Sequence, residues 1–247
     1  MGSATISVYT QYAIDSQWYT VIMPRAPRVD VGGYVYHVLN RANARAQIFD
    51  EAADYVLFER ILTECVEQFR VPLLAYCLMP NHWHLVLFPQ EDGRVSQFMA
   101  WLGNTHTRKW HVAKGTIGQG HLYQGRYKAF LCQQDAHLLT LIRYVERNPV
   151  KANLIRRAED WQWSSAWRRE KGTERDRKLL APWPISIPKD YLTLLNAPQT
   201  KEEESALERS EVKGVPFGAE DWQQTMVEKH GLEQTLRSVG RPSRNGG

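Results

Sequence analysis

The sequence predicts an α+β fold: a ferredoxin-like split β-α-β core, an antiparallel sheet with helices on one face, followed by a mainly helical or irregular C-terminal extension. Three observations predict it. Segments of strand and helix period alternate as β-α-β-β-α-β with one more helix behind them. A chain of 247 residues, 43% of them hydrophobic, can bury a core without staples. Regularity then fades beyond Lys151. We divide the chain into residues 1–22, a leader that is disordered or foreign to the native protein, residues 23–165, the core domain, and residues 166–247, an extension with a disordered tail.

Tyr34 to Asn40 alternates aromatic and β-branched residues and reads as the first strand. Asp50 is the expected N-cap of a helix in which Tyr55, Phe58, Ile61, Leu62, Cys65 and Phe69 recur at helical spacing. Val71 to Met79 and His82 to Phe88 are apolar runs parted by Pro80-Asn81, which reads as a hairpin. Ser96 to Ala113 is a second helix, followed by a Gly-rich loop at 115–125. Arg126 to Cys132 is the fourth strand. A helix opens at Asp135 and is expected to stop at Asn148, because Pro149 disfavours helical geometry for the residue before it. Beyond Lys151, Trp161 to Ser165 is expected to pack on the core, 170–178 to be loop, and 201–213 and 219–230 to be helical.

Charge is uneven. Between Trp101 and Leu180 there are 16 Lys/Arg and 7 Asp/Glu, a balance of +9, against −5 for the remainder. Such asymmetry suits a polyanionic partner, or simply a solvated basic surface. Cys65, Cys77 and Cys132 form no CxxC pair and read as buried thiols, not a disulfide framework. No apolar run reaches membrane-spanning length and no signal peptide is recognisable, so a cytoplasmic, non-membrane protein is expected.

Two features could carry chemistry. On a strand, residues i and i+2 share a face, so His82 and His84 project together while Trp83 points into the core. Two such imidazoles can chelate one divalent cation, though two ordinary strand histidines read the same way. On the helix from Asp135, His137, Tyr144 and Asn148 fall on one flank of an apolar arc formed by Leu138, Leu141, Ile142 and Val145. Alone, Tyr144 also fits a core-margin residue and Asn148 a helix terminus. His37 on the first strand faces either this site or solvent, and a satisfied structural role is the simpler expectation. His106, His111 and His121 follow no pattern.

Taken together, residues 29–46 (VDVGGYVYHVLNRANARA), 79–86 (MPNHWHLV) and 143–152 (RYVERNPVKA) resemble the single-tyrosine HUH transposases, and within them the REP-associated tyrosine transposases. The resemblance covers roughly residues 23–165. It implies an HUH endonuclease core, with His82 and His84 as the metal pair, Tyr144 as the nucleophile and Asn148 as the third metal ligand. It implies a Mg²⁺ or Mn²⁺ cofactor, and cleavage and rejoining of structured single-stranded or hairpin DNA through a 5′-phosphotyrosine. Such a protein would be cytoplasmic and nucleoid-associated, as a monomer or a homodimer. DNA contacts are expected from Arg41 and Arg45 after the first strand, Arg126 and Lys128 by the fourth, and Arg143, Arg147 and Lys151 around the nucleophile. Tyr123 and Tyr127 are candidate base-stacking surfaces, and Gly240-Arg241-Pro242 a minor-groove arm. A catalytically silent DNA- or RNA-binding regulator and a metal-dependent phosphodiester hydrolase are the alternatives.

Overall fold

The computed structural model describes residues 9–14, 17–22 and 28–236. Strands β1 (Tyr9–Ile14) and β2 (Gln17–Ile22) pair as an antiparallel hairpin. The leader, without a clear period, had given no sign of them. The core follows as β3 (Val35–Arg41), α1 (Ala52–Phe69), β4 (Leu73–Met79), β5 (His82–Leu87), α2 (Arg94–Lys114), β6 (Lys128–Cys132) and α3 (Ala136–Lys151). The four core strands form an antiparallel sheet in the order β4-β5-β3-β6, as a split β-α-β pattern requires.

The crossover helices α1 and α2 lie on one face. Their Phe58, Ile61, Leu62, Phe98 and Leu102 pack against Tyr36, Val38, Tyr76, Trp83 and Leu85. The two helices of the split β-α-β core thus share one face, as expected, and the further helix, α3, lies on the other. It packs Leu138, Leu141, Ile142 and Val145 against Val35, Cys77, Val86 and Phe130. The cause is visible in β4, whose seven residues are all buried: strands that are apolar on both sides need cover on both sides. All three cysteines are free and buried.

Two helix boundaries differ from expectation. Glu51, not Asp50, is the N-cap of α1, and Asp54 Oδ2 accepts from the amides of Asp50 and Glu51 at 3.0 and 3.2 Å. α3 runs through Pro149 to Lys151. Proline lacks the N–H that would bond the Val145 carbonyl. The Asn148 side chain makes up part of that loss, its Nδ2 donating to the Tyr144 carbonyl at 2.9 Å and the Val145 carbonyl at 3.5 Å. The turn out of the helix comes at Asn153, in the left-handed region (φ 57°).

The extension is helical: α4 (Ser165–Glu170), α5 (Glu174–Arg177), α6 (Tyr191–Asn196), α7 (Lys201–Lys213), α8 (Glu220–His230) and α9 (Glu233–Leu236). α4 and α5 occupy part of the stretch expected as loop. The described segments that follow α3 shield both sheet edges. Leu78 donates its N–H to the Trp163 carbonyl at 2.9 Å, and Ser164 bridges Cys77 beside β4. Phe217 bridges Cys132 beside β6. The tail from residue 237, with its Gly240-Arg241-Pro242 sequence, lies outside the described residues. Among the described residues no helix is long and apolar enough to cross a membrane.

A buried charge joins core and extension. Glu146 on α3 is fully buried and bonds Ser165, Arg169 and, at 2.6 Å, the Tyr191 hydroxyl. Glu146→Ala leaves Arg169 without its carboxylate partner, and we expect a loss of roughly 3 kcal/mol in urea unfolding. A change below about 1 kcal/mol contradicts this role.

On the α1/α2 face, burial holds His106 at about 3, far below its usual 6.5. Its folded form therefore takes up fewer protons than the unfolded chain. This contribution to stability is complete above about 6.5 and is lost as pH falls towards 3. His106→Gln should flatten the fall in melting temperature between about pH 6.5 and pH 4. An unchanged acid limb contradicts the assignment.

Candidate active site

The site forms where α3 crosses the sheet. Alternation along β5 sends Trp83, fully buried, to the α1/α2 side, and His82 and His84 to the α3 side. On that side, Tyr144 meets His84 edge-to-face with ring centroids 6.1 Å apart. His82 and His84 stand 5.0 Å apart, also edge-on. The structure thus brings together His82, His84 and Tyr144 from two elements far apart in sequence.

The imidazoles are neutral. Burial lowers His82 to about 4, with Arg41 adding to the effect. Burial first, then the neighbouring rings and Arg41, keeps His84 well below its usual value. Neutral rings leave lone pairs for a cation. The His82 Nδ1 sits 2.6 Å from Asn81 Oδ1, which fixes that nitrogen as the donor and leaves Nε2 as the lone-pair atom. Tyr144 is 7% exposed, and burial, followed by the Glu211 carboxylate, pushes its phenol far above the usual value. At rest the nucleophile candidate is a protonated phenol.

Two further residues belong to the site. His37 is fully buried on β3 and its Nε2 lies 2.9 Å from His84 Nδ1. It faces the site, not solvent, and its Nδ1 is buried without a hydrogen-bond partner among the described residues. Burial lowers it to about 3. Its place on the first strand was legible, but not its approach to His84, which depends on strand order. Glu211 on α7 reaches the same rings, with Oε1 at 3.6 Å from His84 Nδ1 and 3.9 Å from His37 Nε2. Burial raises this carboxyl to about 7. Its position in a Glu-rich helix of the extension gave no sequence signal.

Asn148 lies one turn beyond Tyr144, its Nδ2 committed to the helix carbonyls and its Oδ1 uninvolved in those bonds. His137 is not part of the site. It serves the N-terminus of α3, its Nδ1 2.8 Å from Asp135 Oδ1.

The basic residues divide into two groups. Arg126 and Lys128 line a groove of about 480 Å³ beside β6, with Arg28, Tyr127, Glu211 and Lys213. Arg41 adjoins the histidines at the end of β3, opposite His82, and Arg45 is exposed beyond it. Around Tyr144, the extension engages the basic groups. Arg143 is 7% exposed and donates to the carbonyls of Leu194 and Ala197 at 3.1 and 3.4 Å. Lys151 pairs with Glu204 and Glu208 at 3.3 and 3.2 Å and lies 5.7 Å from the Tyr144 ring centre. Arg147 is flanked by Arg143 and Glu204. Arg143 is therefore a structural tie, not the surface contact expected. Tyr123 is likewise an anchor, its hydroxyl 2.9 Å from Trp83 Nε1 and 2.6 Å from His106 Nδ1. Tyr127 lies beneath Arg28, 4.1 Å from ring centre to guanidinium carbon.

The chemistry of the donors fits a divalent cation. Two neutral imidazoles and a carboxylate or amide oxygen form a mixed N/O set of the kind first-row divalent ions accept. His37 Nδ1, His84 Nε2 and Glu211 Oε1 are all buried without a hydrogen-bond partner among the described residues.

Comparison with known proteins agrees with this geometry. Residues 30–148 match the family described as Transposase IS200 like. A curated Haemophilus influenzae protein described as a REP-associated tyrosine transposase is 25% identical over 121 residues, 45% of this chain and 69% of that one. The fold matches a solved REP-associated tyrosine transposase, in that structure bound to a REP hairpin. Its TM-score is 0.50 at 18% identity, over 66% of this chain and 92% of that one. Residues 30–148 are thus similar to the IS200-like transposases, and the chain as folded is similar to a REP-associated tyrosine transposase.

Proposed function

We propose that this protein binds hairpin DNA of the REP type and cleaves and rejoins a single strand beside it, with Tyr144 as nucleophile. The observation that carries this reading is the juxtaposition of Tyr144 on α3 with the His82–His84 pair on β5. The alternatives need no tyrosine at the histidine pair. The cation is Mg²⁺ or Mn²⁺, held by His82 and His84, with Asn148 Oδ1 one turn from the nucleophile. When bound, it supplies Lewis-acid polarisation of the scissile phosphate.

The protein's own groups account for the rest. Tyr144 Oη attacks phosphorus in line, and its phenolic proton is lost. The bond from phosphorus to the 3′ oxygen breaks, and that oxygen departs and takes up a proton. The 5′ phosphate remains on Tyr144 as a diester, so a 3′-hydroxyl from another strand can reverse the step without an external energy source. Burial excludes water that would otherwise hydrolyse the adduct. The groove along β6 suits the path of the strand, with Arg126 and Lys128 on phosphates and Tyr127 available to a base. Arg41 and Arg45 continue that path from the end of β3. Arg147 and Lys151 would reach DNA only where the acidic groups of α7 give way. We place the protein in the cytoplasm, on the nucleoid, as a monomer or homodimer.

Labelled DNA carrying a REP-like hairpin and its flanking single strand, incubated with Mn²⁺, should give an adduct that survives denaturing electrophoresis. Tyr144→Phe and His84→Ala should each reduce it by about a thousandfold or more, and chelator should abolish it. Cleavage unchanged in Tyr144→Phe would identify a water-using hydrolase. Binding with neither cleavage nor adduct would identify a silent regulator.

Lys128→Ala should weaken hairpin binding and lower the slope of log affinity against log salt by about one unit. An unchanged slope removes Lys128 from the DNA path.

A further inference from the structure

We propose that Glu211, carried by the extension, and His37 are further ligands of the divalent cation already assigned to His82 and His84, so that Glu211 completes the metal centre from outside the residues that match the IS200-like family. The inference rests on the reading of this site as a cation-dependent one. It adds ligands that neither the HUH motif nor the tyrosine helix provides.

Three observations carry it. The first is distance. Glu211 Oε1, His84 Nδ1 and His37 Nε2 lie within 4.8 Å of one another, close enough for one ion to take a bond from each after small side-chain shifts. The second is unmet bonding. Glu211 Oε1 is buried with no hydrogen-bond partner among the described residues. The Tyr144 phenol bonds the carboxyl, and Arg41 and Lys128 act on it through space. A buried carboxyl oxygen left unbonded beside two imidazole nitrogens is a donor open to a divalent cation.

The third is tautomer chemistry. The 2.9 Å contact between His37 Nε2 and His84 Nδ1 now places one proton between two nitrogens. A cation there would take both lone pairs, with the ring protons on His37 Nδ1 and His84 Nε2. Both atoms are neutral-ring positions without partners among the described residues.

The rest of α7 holds Glu211 in place. Glu204 and Glu208 grip Lys151, and Glu203 lies 3.7 Å from Arg143. Thr200 caps the helix, its Oγ1 accepting from the Glu203 N–H at 3.1 Å. Helix α7 ends at Gly214 in the left-handed region (φ 77°), one turn beyond Glu211. The glutamate therefore sits on a helix braced at both ends, as a ligand must.

The test is Mn²⁺ binding to the full chain without DNA, read by the electron paramagnetic resonance signal of free Mn²⁺ and by thermal melting. Wild-type protein should bind and be stabilised. Glu211→Gln keeps the shape of the side chain and should weaken binding at least about tenfold. Glu202→Gln, the same charge change on an exposed position of the same helix, should leave it unaltered. Loss of binding in His84→Gln with full binding in Glu211→Gln overturns this inference and leaves the proposed function standing. No binding to wild-type protein overturns both.

Discussion

Alternation along β5 is the constraint on which the remaining structure depends. One residue, Trp83, is fully buried against α1 and α2, and its indole N–H is fixed by Tyr123. That anchor sets the rotation of the strand. Its neighbours His82 and His84 must then face the opposite side, where α3 crosses. A slip of one residue would bury the imidazoles among Phe58 and Leu62 and turn the indole towards Tyr144. Packing energy on one face thus positions chemistry on the other.

The second face differs in kind. It is apolar over Val35, Val86 and Phe130, but polar at the ends of β3 and β5, where His37, His84 and Arg41 gather. Tyr144 stands at this border. Its surroundings keep the phenol protonated and dry, which suits the proposed role of Tyr144 as a nucleophile held inert until substrate arrives. The extension builds much of that environment. Arg168 and Arg169 on α4 reach to opposite faces of the sheet, the one to Glu59 on α1 at 2.8 Å, the other to Glu146 on α3. α7 then lays its acidic side over Lys151 and Tyr144. Core and extension are one packed unit around the site.

Much of this was legible in the sequence, for physical reasons. The order of strands and helices follows from apolar periodicity, and the sharing of one face by His82 and His84 from the pleat. Tyr144 and Asn148 were placed on one flank by helical arithmetic. What was not legible depends on contacts between segments distant in sequence. His37 and His84 meet only because β3 pairs with β5 out of chain order. Glu211 enters from a helix whose glutamates read as a solvated face. Arg143 and Tyr123 looked like surface groups until their partners, carbonyls in α6 and the indole of Trp83, were in place. Pro149 misled because the rule for the residue before proline ignores the side-chain amide that eases the helix through it.

The claim on which all this turns is that Tyr144 forms the covalent link. The most direct test digests the denatured protein–DNA product with nuclease and protease and maps the remaining nucleotide by mass spectrometry. The account predicts a 5′-linked nucleotide phosphate on the peptide containing Tyr144, and on no other tyrosine. Cleaved DNA with a free 5′ phosphate and an unmodified Tyr144 peptide would contradict it.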